Sequence, residues 1–455
     1  MKKWDPHLFF YRNIAEQRDK LINFSPPAVL SLGFLILICL GTLLLKLPIA
    51  SHTETGWQQA LFTATSAVTV TGLVVLDTGA HFTLFGQIVI ALLIQTGGLG
   101  FITFAVVAAM SLGTKIGIGQ QLVAMEAFNQ TSLKKTLQIA KYVLFYSLGF
   151  ELLGILLLTP LWLETAGFSQ ALHEAAFHSI SAFNNAGFSL YSNNLMQYSD
   201  DIQVNLIITA LLIIGGIGFA VLLDLRQHKK WSKLSANTKM VLLATLLLNV
   251  ISFLLIWALE TNNPNTLGSL PLSQQAIAAW FQAVTPRTAG FNTLAIEQLT
   301  DASTLLMIML MFIGGGSLST AGGIKVGTFV VLIMATYSFL NRSDEVIFMR
   351  RTIPAKQVMK ALALTIISMI LIFLGTFILT VTEQAEFIDI VFEVVSALST
   401  VGLSRGLTNE LSSSGELVVI FLMIVGRLGP LTLAYILATP YLKNVRYANA
   451  DIQVG

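Results

Sequence analysis

Four short stretches of this chain share one outline: Phe62 to Val74 (FTATSAVTVTGLV), Phe177 to Ser189 (FHSISAFNNAGFS), Trp280 to Asn292 (WFQAVTPRTAGFN) and Phe392 to Ser404 (FEVVSALSTVGLS). In each, an aromatic residue stands ten positions before a glycine (Gly72, Gly187, Gly290 or Gly402), and a bulky apolar residue follows it (Leu73, Phe188, Phe291 or Leu403). A short apolar helix that runs into an extended, glycine-bearing loop offers the chemistry of the backbone. Four such loops brought to one axis present rings of carbonyl oxygens, which can replace the hydration shell of a monovalent cation. Glycine suits the turn because a Cβ obstructs the backbone angles that carbonyl-inward loops commonly need. The C-terminal ends of the short helices add partial negative charge at the same place. Any one of these glycines alone is equally well read as a helix C-cap beside a small turn. Separations of 115, 103 and 112 residues between the four favour one repeated unit over unrelated turns.

The elements that must position these loops are long apolar helices. A membrane-crossing helix needs about 20 apolar residues, and eight runs qualify or nearly qualify, in pairs around the four loops. The first unit uses about Val29 to Leu47 and Leu84 to Leu112, and the second about Leu137 to Leu163 and Val204 to Leu225. The third uses about Lys239 to Leu259 and Leu305 to Leu340, and the fourth about Val358 to Val381 and Leu417 to Tyr441. Segments such as Trp57 to Val68 and Phe387 to Leu398 are too short to span and suit half-membrane, re-entrant helices. The expected fold is an all-α integral membrane protein: four parallel pseudo-repeats of helix, re-entrant pore helix with loop, and helix around one central pore. The boundaries are an N-terminal segment 1–28, repeat 1 at 29–113, a connector 114–136, repeat 2 at 137–227 and repeat 3 at 228–340. A connector 341–355, repeat 4 at 356–442 and a C-terminal segment 443–455 follow.

Composition agrees with a membrane setting. Hydrophobic residues make up 55% and charged residues 11% of the 455, against about 25% charged in soluble domains. A net charge of +2 gives no reason to expect a nucleic-acid partner. The lone Cys39, in an apolar run, excludes an intramolecular disulfide and reads as a small hydrophobe. No cleavable leader is evident at the N-terminus. Basic residues mark the N-terminus (Lys2, Lys3, Arg12, Arg18, Lys20), the connectors (Lys115, Lys134, Lys135; Arg226, Lys229, Lys230, Lys233; Arg342, Arg350, Arg351, Lys356, Lys360) and the C-terminus (Lys443, Arg446). The segments beside the glycine loops are neutral to acidic, with Glu54, Asp77, Glu164, Glu174, Glu260, Glu383, Glu386 and Asp389. By the positive-inside rule the termini and connectors are cytoplasmic and the loops enter from outside.

Two features below the loops stand out. The second helix of repeat 3 carries GGGSLSTAGGIK, Gly314 to Lys325, whose five glycines fit a loop inside the membrane better than a helix, since each interior glycine costs about 1 kcal/mol. Close packing of a small-residue helix is the competing reading. Shorter clusters (Gly97, Gly98, Gly100; Gly215, Gly216, Gly218; Gly426, Gly429) read as packing glycines around the pore. Arg427 lies about 15 Å into its helix, and an intramembrane arginine is costly and by default functional. Facing the pore it raises a barrier to cations; the other reading is an ion pair with a buried acid such as Glu151. Lys325 reads either as part of the loop or as a residue snorkelling to the cytoplasmic side. Arg287, just before the third glycine, either braces its loop or tunes the outer field.

The four loops and paired helices resemble the Trk/Ktr/HKT superfamily of potassium transporters over nearly the whole chain, and within it are most similar to the bacterial Ktr membrane subunits. The resemblance implies a potassium selectivity filter made by Val70, Thr71, Gly72, Asn185, Ala186, Gly187, Thr288, Ala289, Gly290, Thr400, Val401 and Gly402. Glycine at position 72 matches the potassium-selective pattern. Only one glycine per loop, unlike the Thr-Val-Gly-Tyr-Gly signature of potassium channels, implies a shorter filter with fewer sites and looser selectivity. The resemblance also implies a gate comprising Gly314, Gly315, Gly316, Ser317, Thr320, Gly322, Gly323, Lys325 and Arg427. It further implies a homodimer in the lipid of the bacterial inner membrane, resting on a ring of cytoplasmic nucleotide-binding regulatory subunits, with sodium promoting potassium uptake.

Other functions find little support. The histidines are scattered, no phosphate-loop motif is present to hold a nucleotide on this chain, and no catalytic cluster suggests an enzyme. A secondary symporter coupled to sodium or protons remains the alternative. Such carriers usually place broken helices and ionisable residues at the midplane, where this chain has few carboxylates.

Overall fold

The computed structural model describes residues 26–100, 103 and 133–429. Residues 1–25, residues 114–132 of the first connector and the C-terminal segment 443–455, with their basic residues, lie outside the described part.

Each repeat begins with a long outer helix: α1 (Pro26–Leu45), α4 (Leu133–Ala166), α8 (Ala236–Glu260) and α12 (Ala355–Thr382). Among the described residues these four contain the helical segments long and apolar enough to cross a membrane. α1 opens on Pro26 and Pro27, where missing N–H groups cost nothing because the first turn has no intrahelical acceptors. Leucines and phenylalanines such as Leu247, Leu254, Phe373 and Phe377 are exposed along the outer helices. Such surface is tolerated where lipid, not water, is the surrounding medium.

The short helices are α2 (Trp57–Thr69), α5 (Phe168–Phe183), α9 (Leu272–Val284) and α13 (Phe387–Leu398), and they supply the buried centre. Phe62, Phe183, Phe281 and Phe392 are fully buried there.

The second helices are α3 (Leu84–Leu99), α6 (Ile202–Ile217), α10 (Asp301–Phe312) and α14 (Ser413–Leu428). Each starts on a side chain that accepts from its first turn: Thr83, Asp201, Thr300 or Ser412. These caps satisfy amides that the helix leaves unbonded. The sequence reading has these helices running on to Leu112, Leu225 and Tyr441; residues 104–112 and 430–441 lie outside the described part, and within it the structure corrects the reading. α3, α6 and α14 stop at Gly100 (φ 77°), Gly218 (φ 104°) and Gly429 (φ 88°), in backbone that favours glycine. After Gly218 the chain turns by 90° into α7 (Phe219–Gln227). In repeat 3 the break spans residues 313–325 before α11 (Val326–Leu340). In all four repeats the second helix therefore ends below its loop, and in repeats 2 and 3 a further described helix follows. The connector after α11 forms a two-stranded antiparallel hairpin, β1 (Val346–Phe348) with β2 (Arg351–Ile353), the one departure from an all-helical fold among the described residues.

The repeats close on one another in a cycle. α3 packs on α5, α6 on α9, α10 on α13, and α14 on α2, so each second helix backs the short helix of the next repeat and the fourth returns to the first. Lipid offers little hydrophobic drive for helix association, so close packing must hold this cycle. Within three repeats a glycine lets the second helix press on the end of its own short helix: a Cβ on Gly97, Gly215 or Gly426 would fall on the carbonyl of Val68, Phe183 or Leu398, while one on Gly98 would fall on the Asn184 side chain of the next repeat. Those carbonyls all lie four residues before a loop glycine.

Candidate functional site

The loop that follows each short helix begins with a residue in left-handed backbone: Val70 (φ 57°), Asn185 (58°), Thr288 (70°) and Thr400 (49°). Three of the four are β-branched, for which this region is a genuine outlier, and such strain, about 1–3 kcal/mol each, concentrates at functional sites. In repeats 1, 2 and 4 the same pair of bonds fixes it. Val70 N–H donates to the Ala67 carbonyl (3.2 Å) and Thr71 N–H to Ser66 (2.8 Å); Asn185 to Ala182 (3.0 Å) and Ala186 to Ser181 (2.8 Å); Thr400 to Ala397 (3.1 Å) and Val401 to Ser396 (2.8 Å). This is the Schellman closure of a helix, with Val, Asn or Thr at the position that is usually glycine. In repeat 3 the loop closes differently, through Arg287 N–H to the Val284 carbonyl at 3.2 Å and Ala289 N–H to the Thr285 carbonyl at 3.0 Å. The loop glycines are thus two residues past the cap, not the caps themselves.

Those glycines form a ring. A Cβ added to Gly72 would fall on the carbonyl oxygen of Ala186; one on Gly187 would lie 2.8 Å from the Gly290 Cα and 3.1 Å from the Ala289 oxygen. One on Gly290 would lie 2.5 Å from the Val401 oxygen, and one on Gly402 would fall on the Thr71 oxygen, 2.9 Å from the Gly72 Cα. Each glycine therefore abuts the carbonyl that precedes the glycine of the next repeat, and the fourth closes on the first. All four glycines have positive φ, 71° to 96°. Inner hydroxyls brace every loop. Ser66 and Ser396 accept from the N–H of Gly72 and Gly402 at 3.1 Å, while Ser181 donates to the Phe188 carbonyl at 2.7 Å and Thr285 to that of Phe291. Beyond the ring lies a vestibule of about 610 Å³, lined by all four glycines with Asp77, Tyr191, Asn292 and Glu297 among others.

The break in repeat 3 sits on the other side of the ring. It is an ordered loop: Gly314 N–H donates to the Ile324 carbonyl (2.9 Å), Val326 to Gly315 (3.0 Å) and Gly316 to Gly216 of repeat 2 (2.8 Å). Thr320 Oγ1 donates to Asn185 Oδ1 at 3.0 Å. A Cβ on Gly322 would run into Thr400 Oγ1 and lie 2.7 Å from the Ser399 carbonyl. The loop thus touches the bases of the second and fourth ring loops. Ser317 and Gly218 meet where a Cβ on Gly218 would reach the Ser317 carbonyl, and Gly323 takes positive φ (64°).

Arg427 does not pair with Glu151. Its guanidinium donates to the Thr320 carbonyl at 2.5 Å and to those of Gly97 and Gly98 at 2.6 and 2.9 Å, which ties the repeat 3 loop to the end of α3. Lys325 folds its amine back onto the loop, to the Ala321 carbonyl at 2.5 Å. Two cations are thereby held on carbonyls directly beneath a ring of carbonyls.

Residues 30–447 match the family described as TrkH, Cation transport protein. The chain belongs to this family. It is 46% identical over 442 residues to the Ktr system potassium uptake protein B of Bacillus subtilis, covering 96% of this chain and 99% of that one. Against the protein of the same name from Vibrio alginolyticus the identity is 42%, covering 96% and 97%. The Potassium/sodium uptake protein NtpJ of Enterococcus hirae is 34% identical, covering 95% and 98%. The crystal structure of the potassium transporter TrkH from Vibrio parahaemolyticus shares the fold, with a TM-score of 0.69 at 23% identity over 90% of this chain and 85% of that one.

Several polar residues of this TrkH-family chain escape a reading by motif. Glu151, 4% exposed, accepts from Ser147 (2.9 Å), Gln95 (3.1 Å) and Asn184 (3.2 Å), so it anchors the second loop's approach from two other helices. Arg405 spans repeats, pairing with Asp389 at 2.6 Å and donating to Thr304 at 2.9 Å. Arg287 is buried, and its Nε and Nη1 have no hydrogen-bond partner, so it does not brace its loop through them. No group of three or more potential metal ligands occurs among the described residues.

Proposed function

We propose that the ring of Gly72, Gly187, Gly290 and Gly402, with the carbonyls of Val70, Thr71, Asn185, Ala186, Thr288, Ala289, Thr400 and Val401, is a potassium filter, and that the chain carries potassium into the cell through it. The observation that carries this reading is the closure of the ring, each glycine set against the carbonyl of the next repeat. A fixed set of carbonyls at membrane depth substitutes for water around a monovalent cation, and the acidic vestibule residues Asp77 and Glu297 raise its local concentration. The names of the relatives, potassium uptake proteins of Ktr systems and a potassium/sodium uptake protein, support the choice of ion.

The segment Gly314 to Lys325 is the gate. Arg427 holds it under the filter, and the guanidinium opposes cation passage while it stays there. Basic connectors such as Arg226, Lys229, Lys230 and Lys233 put the gate side in the cytoplasm and the vestibule outside. A Ktr-type arrangement adds a second copy of this chain and a cytoplasmic nucleotide-binding ring that pulls on or releases the gate, with sodium as a promoter of uptake. The pathway is channel-like, because hydrogen bonds to carbonyls, rather than a midplane carboxylate available for obligatory coupling, set the barrier. Reconstitution in liposomes tests it: potassium flux should follow its electrochemical gradient, and a fixed sodium-to-potassium ratio would establish the symporter instead.

A further inference from the structure

The inner braces serve all four loops; among the described residues a second, outer fastening from the loop's own short helix occurs only in repeats 2 and 4, which the ring order places diagonally opposite. In repeat 3, by contrast, the Asn292 carbonyl accepts from Leu195 N–H (3.1 Å) and its N–H donates to Asn194 Oδ1 (3.5 Å), both of repeat 2. Two residues beyond the glycine stand Ser189 and Ser404, and nine before it His178 and Glu393. His178 Nδ1 lies 2.8 Å from the Glu174 carbonyl, which can only accept, so that nitrogen carries the proton. Nε2 is then the acceptor, taking Ser189 Oγ–H at 3.0 Å and Leu190 N–H at 3.4 Å. In repeat 4 Glu393 accepts from Ser404 Oγ at 2.7 Å and from Thr408 Oγ1 at 2.5 Å. Both serines accept in turn from the amide two residues on, Tyr191 and Gly406, at 3.1 Å. His178 and Glu393 are fully buried. Chemically different residues therefore make the same strap at the same two positions.

The other two repeats cannot make it. Thr63 and Val74 occupy those positions in repeat 1, where Val74 has no polar atom and the Thr63 hydroxyl has no partner; Phe281 and Asn292 occupy them in repeat 3. We propose that the His178–Ser189 and Glu393–Ser404 straps are positioning devices that fix the outer arms of two opposite loops and thereby set how strictly the ring discriminates potassium from sodium. Carbonyls on a compliant loop close in around a smaller ion; carbonyls pinned from behind on two opposite sides resist it. The acceptors His178 and Glu393 are fully buried behind the vestibule wall that Ser189 and Ser404 line, so losing a serine hydroxyl frees the outer arm from a rigid support. His178 is further fixed by stacking on Tyr191, whose hydroxyl donates to Glu174 at 2.7 Å.

This rests on the potassium-filter reading, and bi-ionic permeability of the full-length chain in liposomes tests it. Ser189→Ala and Ser404→Ala should each raise the sodium-to-potassium permeability ratio about fivefold. Ser189→Thr and Ser404→Thr, which keep the hydroxyl, should stay within twofold of the unaltered chain. Should either alanine variant fail to assemble, His178→Gln and Glu393→Gln, which keep an acceptor, are compared with His178→Leu and Glu393→Leu for the same split. A ratio within twofold in both alanine variants, or equal shifts for alanine and threonine, overturns the proposal. An unaltered chain with no potassium preference would instead remove the filter reading beneath it.

Discussion

At the scale of single residues, the ring leaves no room at its glycines. Gly290→Ser places a Cβ 2.5 Å from the Val401 oxygen and 2.9 Å from the Gly187 Cα, so two loops must shift. The expected outcome is a several-fold loss of potassium-over-sodium preference in uptake assays at near-normal protein levels; an unchanged ratio would count against this residue as a filter element. Arg427 is the second residue-scale test. Of its three hydrogen bonds only the one to Thr320 reaches the repeat 3 loop, and losing that charge-assisted bond of about 1.5 kcal/mol shifts a two-state loop roughly tenfold towards release. Arg427→Ala should therefore raise potassium flux by up to about that factor, while a fall in flux by a folded variant would show that the guanidinium does not restrain the loop. The glycines are legible in the sequence because their spacing recurs. The left-handed Val70, Thr288 and Thr400 are not, since nothing about a valine or threonine announces a backbone it normally avoids. The straps escape too, because His178 and Glu393 share a position but no chemistry.

At the scale of elements, the break below the glycine ring matters most. In repeat 3 the cluster of glycines makes it visible from sequence. In repeats 1, 2 and 4 one glycine does the work, and a lone glycine in an apolar run looks the same whether it packs or ends a helix. Both roles occur here: Gly97, Gly215 and Gly426 pack on carbonyls, while Gly100, Gly218 and Gly429 stop the helix. Deleting residues from Gly314 to Gly323 should raise flux, since a shorter segment no longer reaches across to Gly216 and Thr400; normal flux in such a variant would remove the loop as a barrier. The helix starts are testable independently. Glu383, just past α12, accepts from Ser412 N–H at 2.8 Å and Ser412 Oγ at 2.6 Å, holding the start of α14. Burial disfavours its charge, yet these bonds outweigh that and hold the carboxyl below its ordinary 4.5. A lowered folded-state value means that the stabilisation is present above about 4.5 and is lost as pH falls through the lower folded value. Melting in detergent should show that acid loss, and Glu383→Gln should be less stable at pH 7 and show less of it; identical acid profiles would exclude the cap.

At the scale of the whole molecule, function follows from a closed cycle of four unlike repeats. Each repeat is readable alone from its apolar runs and short re-entrant helix. The order in which they meet is not, because it rests on contacts hundreds of residues apart, such as Gly402 against Thr71 and Arg427 against Gly97. That cycle puts the ring carbonyls next to the repeat 3 loop that Arg427 holds, and under the proposed filter reading it lets a single chain form one pathway. The most direct test is the reversal potential of the purified full-length chain in liposomes, with potassium on one side and sodium on the other. A potential near that of a potassium-selective pathway, moved towards zero by Gly290→Ser, is the predicted result. A potential set by a fixed ratio of the two ions, or one that Gly290→Ser leaves in place, would contradict a potassium filter at this ring.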